Sequence, residues 1–240
     1  MKSFLDPTVW KSRRVQPPNV WSKALLAALV VAGCLSIARF FNWWFREEHI
    51  ASLALFIVLS GIMWWGVFRM VMLWISYLGM KVPPKPPALK RNLSVAIFTT
   101  SSPGEPLSMF DKTLEACARI SYPHTTYLLD DTMDPRYKEV AQKHGAVWLE
   151  LVGYQGAKAG KINEALKKTT EEIILVLDPD HIPFDNFFDE VLGYFNDEKL
   201  GYVQVAQAYY NQPLSFTAKA AAEQTYGFYG PTQIGMNGYN

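Results

Sequence analysis

Two long apolar runs near the start of this 240-residue chain restrict its architecture more than anything after them. Residues 24–38 carry no charge, and with Arg39 as a single interruption the run continues to Phe45. A second run, residues 50–68, is uncharged throughout and goes on past Arg69 to Met80. A helix needs about 20 apolar residues to cross the hydrocarbon core of a bilayer, so each run is long enough to span. Helices of water-soluble domains keep one polar face, which these runs lack. A cleaved signal peptide fits poorly, because no small-x-small site leads from the first run into polar sequence. The expectation is a transmembrane hairpin over residues 23–80.

The flanks orient the hairpin. Lys2, Lys11, Arg13, Arg14 and Lys23 precede the first run, and Lys81, Lys85, Lys90 and Arg91 follow the second. In the short connection Arg46 is offset by Glu47 and Glu48. Positive charge stays inside, so both ends are expected in the cytoplasm, with residues 1–22 as a cytoplasmic segment. Trp43, Trp44 and Tyr77 fall at run ends, where interfacial aromatics belong. Arg39 and Arg69 lie within about two turns of a span end, close enough to snorkel; a lipid or polymer contact is the alternative. Residues 82–88 (VPPKPPA) cannot continue a helix and read as a stiff linker within residues 81–92.

Charge and cysteine content exclude some classes. A net charge of +1 provides no basic field for nucleic acid. Cys34 and Cys117 are too few for a disulfide framework and read as small buried residues, and the four histidines have no zinc-like spacing.

From residue 93 the pattern changes to short β-rich runs alternating with helical ones. Strands are expected at residues 94–100, 125–129, 146–151, 173–177 and 202–206, and helices at 107–120, 135–144, 158–168 and 187–195. Residues 173–177 (IILVL) are wholly apolar, as a central strand buried on both faces would be. This alternation implies a parallel sheet built from βαβ units, with ligands bound beyond the carboxyl ends of the strands.

Two expected strands end in acidic clusters at that edge. One runs into Asp130-Asp131, the other into Asp178-Pro179-Asp180-His181. A lone Asp there is usually a turn former or helix cap. A D-x-D on one loop, however, can offer two hard oxygen donors to Mg²⁺ or Mn²⁺, which commonly keeps a phosphate oxygen in its shell. Between the clusters lies GAKAGKIN, residues 156–163. Its glycines, two lysines and nearby helix start suit a phosphate, and equally an ordinary basic helix start. It is neither a Walker A loop nor a dinucleotide fingerprint, since Gln155 and Ile162 break the first and the G-x-G-x-x-G spacing is missing.

Taken together, LLDD (128–131), GAKAGKIN (156–163), LDPDH (177–181), Val203-Gln204 and FYGPTQIGMNGYN (228–240) resemble, in order and spacing, the cellulose synthase branch of the family-2 glycosyltransferases. The resemblance covers residues 93–240 and suits the preceding hairpin. It implies an α/β fold of GT-A type, a UDP-sugar donor (UDP-glucose first), and inverting transfer that extends a β-linked polysaccharide at the inner membrane of the cell. By the same resemblance Asp130 and Asp131 contact the nucleotide, Lys158 sits against the diphosphate, and Asp178 and Asp180 hold the metal and donor. Gln204, with Val203, forms part of the floor under sugar and acceptor. Asp130, Asp131, Asp178 and Asp180 are thus the catalytic candidates, joined by Glu105, Lys158 and Gln204 for substrate. The implied partners are the donor, the growing polysaccharide, membrane lipid and other synthase subunits.

The departures are specific. Residues 99–106 read TTSSPGEP, so only Glu105-Pro106 matches the family's P-T-Y-N-E segment, and Pro179 replaces a small residue. The family's T-E-D general base and Q-x-x-R-W helix are not in these residues, which are therefore expected to be the front portion of a longer enzyme. Two other readings stay open: a nucleotide-binding membrane protein without turnover, and a synthase of chitin, hyaluronan or poly-N-acetylglucosamine type.

Overall fold

The computed structural model describes residues 19–153 and 156–238, so Lys2, Lys11, Arg13 and Arg14 of the first flank, Gln155, and the last two residues of the final motif lie outside the described residues. By contact the chain divides into two units. Lys85–Val203 forms one, and the stretches up to Pro84 and from Gln204 form the other.

In the second of these, the apolar runs become helices α1 (Val20–Trp44) and α2 (Leu53–Leu78), of 25 and 26 residues. At about 1.5 Å per residue each is long enough to cross a bilayer. Only 6% of each apolar window is buried, which separates them from the core helices of a soluble domain. Their contact is aromatic: Phe41 stacks on Trp64 at 4.4 Å, and the Trp44 indole donates to Ser60 Oγ at 2.9 Å. Arg39 and Arg69 are exposed on the helix surfaces. A turn of 3₁₀ helix, Glu47–His49, makes the connection.

The Lys85–Val203 unit holds four parallel strands, β1 (Val95–Thr100), β2 (Thr125–Asp130), β3 (Val147–Glu150) and β4 (Ile173–Leu177), in the order β3-β2-β1-β4. Helices α3 (Leu107–Ala118), α4 (Pro135–Lys143) and α5 (Ala157–Leu166) connect them. The alternation of β1 explains why helices cover both faces. Val95 and Ile97 join Cys117 of α3 and Leu177, while Ala96 and Phe98 join Leu129 and Ala165 of α5. Asp134 caps α4 by accepting from Arg136 N, and Pro135 occupies its first position, where a missing N–H costs nothing. The mostly parallel α/β sheet expected of a GT-A domain is therefore present, and its strand order reverses between β1 and β4.

Four expectations differ from the observed structure. Cys34, read as a small buried residue, is exposed on α1, and of the two cysteines only Cys117 is buried. The wholly apolar β4 lies at the edge of the sheet, with Val176 42% exposed, and the central strand is β1, all six of whose residues are buried. Residues 202–206 form no strand: they pair with none of the four, and Tyr202 is 78% exposed. A β-prone run without a neighbour to satisfy its N–H and C=O groups gains nothing from extending. The helix expected over 187–195 is two 3₁₀ turns, Phe188–Glu190 and Leu192–Asn196, broken at Val191. There the linker comes close enough that a Cβ on Gly193 would lie 1.9 Å from the Pro87 carbonyl oxygen.

Beyond Gln204 the chain forms α6 (Phe216–Gly227), a π-helical turn around Pro231 (Phe228–Ile234), and the short α7 (Gly235–Asn237).

Candidate active site at the strand ends

Register brings the acidic clusters to one level. Thr100 pairs with Leu129 and Thr99 with Leu177, so β2 and β4 run out beside the end of β1. This is the edge, at the reversal of strand order, where doubly wound sheets bind ligands.

On the β2 side Asp130 is 1% exposed. Its Oδ1 accepts from Ser101 Oγ (2.5 Å), Thr132 N (3.0 Å) and Thr132 Oγ1 (2.8 Å), and its Oδ2 from the Trp148 indole (2.9 Å). Both oxygens are thus committed to protein donors. Asp131 is more open. Its Oδ2 pairs with the Lys161 ammonium at 2.7 Å, whereas Oδ1 is buried without a partner. Among the described residues the other buried polar side-chain atom in that condition is Thr99 Oγ1 on β1.

On the β4 side the turn at Asp178 is fastened by its own backbone, His181 N donating to the Asp178 carbonyl at 3.0 Å, and by Thr113 of α3, whose hydroxyl donates to the Pro179 carbonyl at 2.7 Å. Asp178 pairs with Lys158 from the first turn of α5. Burial alone would raise the Asp178 pKa, but the Lys158 hydrogen bond and charge, with His181 nearby, outweigh it and hold the carboxyl below its usual range. Asp180 is 69% exposed. Asp178, Asp180 and His181 each present a ligand atom, all within 4.8 Å of one another. Two carboxylate oxygens and an imidazole nitrogen at that separation fit a divalent ion such as Mg²⁺ or Mn²⁺.

Gly156 precedes α5 as its N-cap, with a φ of +94° that is strained for any residue with a side chain, and a Cβ there would meet Gly160 at 3.4 Å. The glycines of GAKAGKIN therefore serve the helix entry. Glu105 lies on the loop after β1, its carboxylate accepting from Ser102 N at 2.7 Å and its carbonyl from the Tyr137 hydroxyl at 2.6 Å. Gln204 is exposed and belongs to the other unit. Of the sequence candidates, then, the fold gathers Asp130, Asp131, Lys158, Asp178 and Asp180 at one edge. Ser101, Trp148 and Thr113 were not anticipated, and Lys161 only as one of the two lysines of GAKAGKIN, with no carboxylate partner foreseen. For Lys161 a signal existed, since it stands three residues after Lys158 and so on the same side of a helix.

Comparison with known proteins agrees with the motifs. The profile "Glycosyltransferase like family 2" matches residues 94–235. The cellulose synthase catalytic subunit [UDP-forming] of Xanthomonas axonopodis pv. citri is 29% identical over 189 residues, covering 74% of this chain and 26% of that protein. Its counterpart in Komagataeibacter sucrofermentans is 28% identical over 213 residues, 84% of this chain and 27% of that one. That of Pseudomonas fluorescens is 32% identical over 145 residues, 57% and 20%. The chain thus spans about a quarter of the length of the curated relatives it matches. Among solved structures, a mannosyltransferase from Pyrobaculum calidifontis in complex with GDP-Man and Mn²⁺ aligns with a TM-score of 0.46 at 17% identity, over 59% of this chain and 45% of that one.

Proposed function

The chain belongs to the family-2 glycosyltransferases, related to cellulose synthases, and from that premise we propose that it is the donor-binding part of a membrane-bound enzyme that uses a UDP-sugar to extend a β-linked polysaccharide. The observation that carries the reading is the convergence of two acidic strand ends and two lysines at the reversal of strand order. Such a site suits a ligand with a neutral, hydrogen-bonding base at one end and a diphosphate at the other. UDP-glucose is the donor that the resemblance to cellulose synthases implies first.

The residues divide the work along the site. Asp131 faces the base, with Glu105 on the adjacent loop; Asp130 frames the pocket from within through its four hydrogen bonds. Lys158 stands in the first turn of α5, and its ammonium and the free N–H groups of that turn favour the diphosphate. Asp178 and Asp180, with His181, would hold Mg²⁺ or Mn²⁺. The ion, when bound, would neutralise charge developing on the leaving nucleoside diphosphate. Gln204 is assigned to the sugar and acceptor floor by family resemblance. The hairpin anchors the enzyme, with both of its ends cytoplasmic so that the sheet unit meets the cytoplasmic donor pool, as the Lys/Arg asymmetry supports.

Calorimetric titration of UDP into the purified chain in detergent micelles tests the proposal. Saturable binding with Mn²⁺ or Mg²⁺ that disappears on chelation is the expected result. No binding at millimolar UDP with either ion would overturn it. Competition among UDP-glucose, UDP-N-acetylglucosamine and UDP-glucuronate in membranes then distinguishes the sugar.

A further inference from the structure

Among the described residues Lys161 is the one lysine or arginine that is buried, at 3% exposure, and the division of work above assigns it no role of its own. It follows Lys158 by three positions, so one side of α5 presents both ammonium groups. Lys158 reaches Asp178 beyond β4, and Lys161 reaches Asp131 beyond β2, with the end of β1 between them. Lys161 Nζ also donates to the Ser101 carbonyl at 2.5 Å and lies 3.5 Å from Ser102 Oγ. A single helix therefore holds the acidic groups on both sides of the strand-order reversal.

The consequence falls on Asp131. Its Oδ2 is taken by Lys161, which leaves Oδ1 buried and without a partner among the described residues. A buried carboxylate oxygen without a donor is costly, and nearly all such groups in native proteins are satisfied. We propose that Lys161 is a positioning residue for the donor nucleotide: by pinning Oδ2 and the Ser101 backbone, it aims Asp131 Oδ1 at an N–H of the base and thereby sets base preference. This rests on the functional reading above. A base with an imide N–H, such as uracil, satisfies Oδ1; cytosine presents a ring-nitrogen lone pair at the same position and repels it.

The test is calorimetric titration of UDP and of CDP, each with Mn²⁺, into the full chain and its variants in detergent micelles, alongside thermal melts. Lys161→Met is expected to weaken UDP about tenfold or more while changing CDP little, because one hydrogen bond to a charged group is lost from one ligand only. Lys161→Arg, which can still hold the carboxylate, is expected to restore most of the UDP preference. Because removing one partner of a buried pair can unfold a protein, the double variant Lys161→Met/Asp131→Asn is measured as well; it carries no unpaired charge and is expected to show the same collapsed ratio. A UDP-to-CDP ratio unchanged from the parent, with only the melting temperature lowered, would mean that Lys161 is merely structural and would overturn the inference. A parent chain that binds UDP and CDP equally would also overturn it. A parent that binds neither would instead overturn the functional reading, and this inference with it.

Discussion

The ends of β2 and β4 carry the same side chain at the same edge of the same sheet, yet the two aspartates live in different chemical worlds. Asp130 ends an inner strand, flanked by β1 and β3, and is sealed by four hydrogen bonds. Asp178 ends the edge strand, with its side chain 46% exposed and one lysine beside it. The difference is one of competition. An inner strand end is surrounded by protein donors that saturate a carboxylate, whereas an edge strand end leaves lone pairs available to a ligand or ion. Two Asp clusters that look alike in sequence thus divide into a frame and a mouth.

The strongest way to break this contrast is Asp130→Ala. It would strand the Ser101 hydroxyl and the Trp148 indole in a buried site, and should lower stability by about 3 kcal/mol, or roughly 6–12 °C in melting temperature for a chain of this size. A change below about 1 kcal/mol would show that Asp130 is not the frame. Asp180→Asn should do the opposite. The side chain is exposed, so the melting temperature should stay within measurement error, while metal-dependent UDP affinity falls about tenfold through loss of an anionic ligand. Unaltered affinity at limiting Mn²⁺ would remove Asp180 from the ion site.

Thr113→Val sharpens the comparison from below the β4 turn. Thr113 is 1% exposed, and its hydroxyl is a side-chain tie from α3 to the Pro179 carbonyl. Its loss should cost about 1 kcal/mol and weaken UDP with metal by loosening the Asp178-Asp180 turn; a stability loss with unchanged affinity would confine Thr113 to packing. The smallest effect concerns pH. The folded-state pKa of Asp178 lies below the usual 3.8, so its pairing with Lys158 stabilises the protein above that pH, and the contribution is lost as pH falls through the lower folded value. Exposure screens the pair, so the parent should exceed Asp178→Asn by less than about 1 kcal/mol at neutral pH. That margin should shrink in melts below pH 3.8. A margin that grew with acid would reverse the sign of the Lys158 interaction.

Much of this architecture was legible in the residues. Uniform apolarity over two runs specified α1 and α2, because no polar face remained to place in water. The β-rich runs at 94–100 and 125–129, the helix start at Pro135 and the acidic strand ends all followed from local chemistry, and the observed elements agree to within a residue at each end. Other features were not local. The apolar sequence of β4 reads as a central strand, but strand order put it at the edge, because a hydrophobic pattern records burial preference and not the number of neighbours. The run at 202–206 has strand composition and no strand to pair with, and the helix expected over 187–195 yielded to the close approach of the linker at Gly193.

By itself, then, the sequence determined which segments are apolar enough to span, which alternate into a parallel sheet, and which aspartates stand at strand ends; each is a property of neighbouring residues. Only the tertiary structure decided which of those aspartates is spent on the fold and which is left for a ligand. That choice depends on donors brought from far along the chain, Trp148 and Ser101 to Asp130, Lys161 to Asp131 and Lys158 to Asp178. A carboxylate's availability is set by what surrounds it in space, which no local pattern encodes.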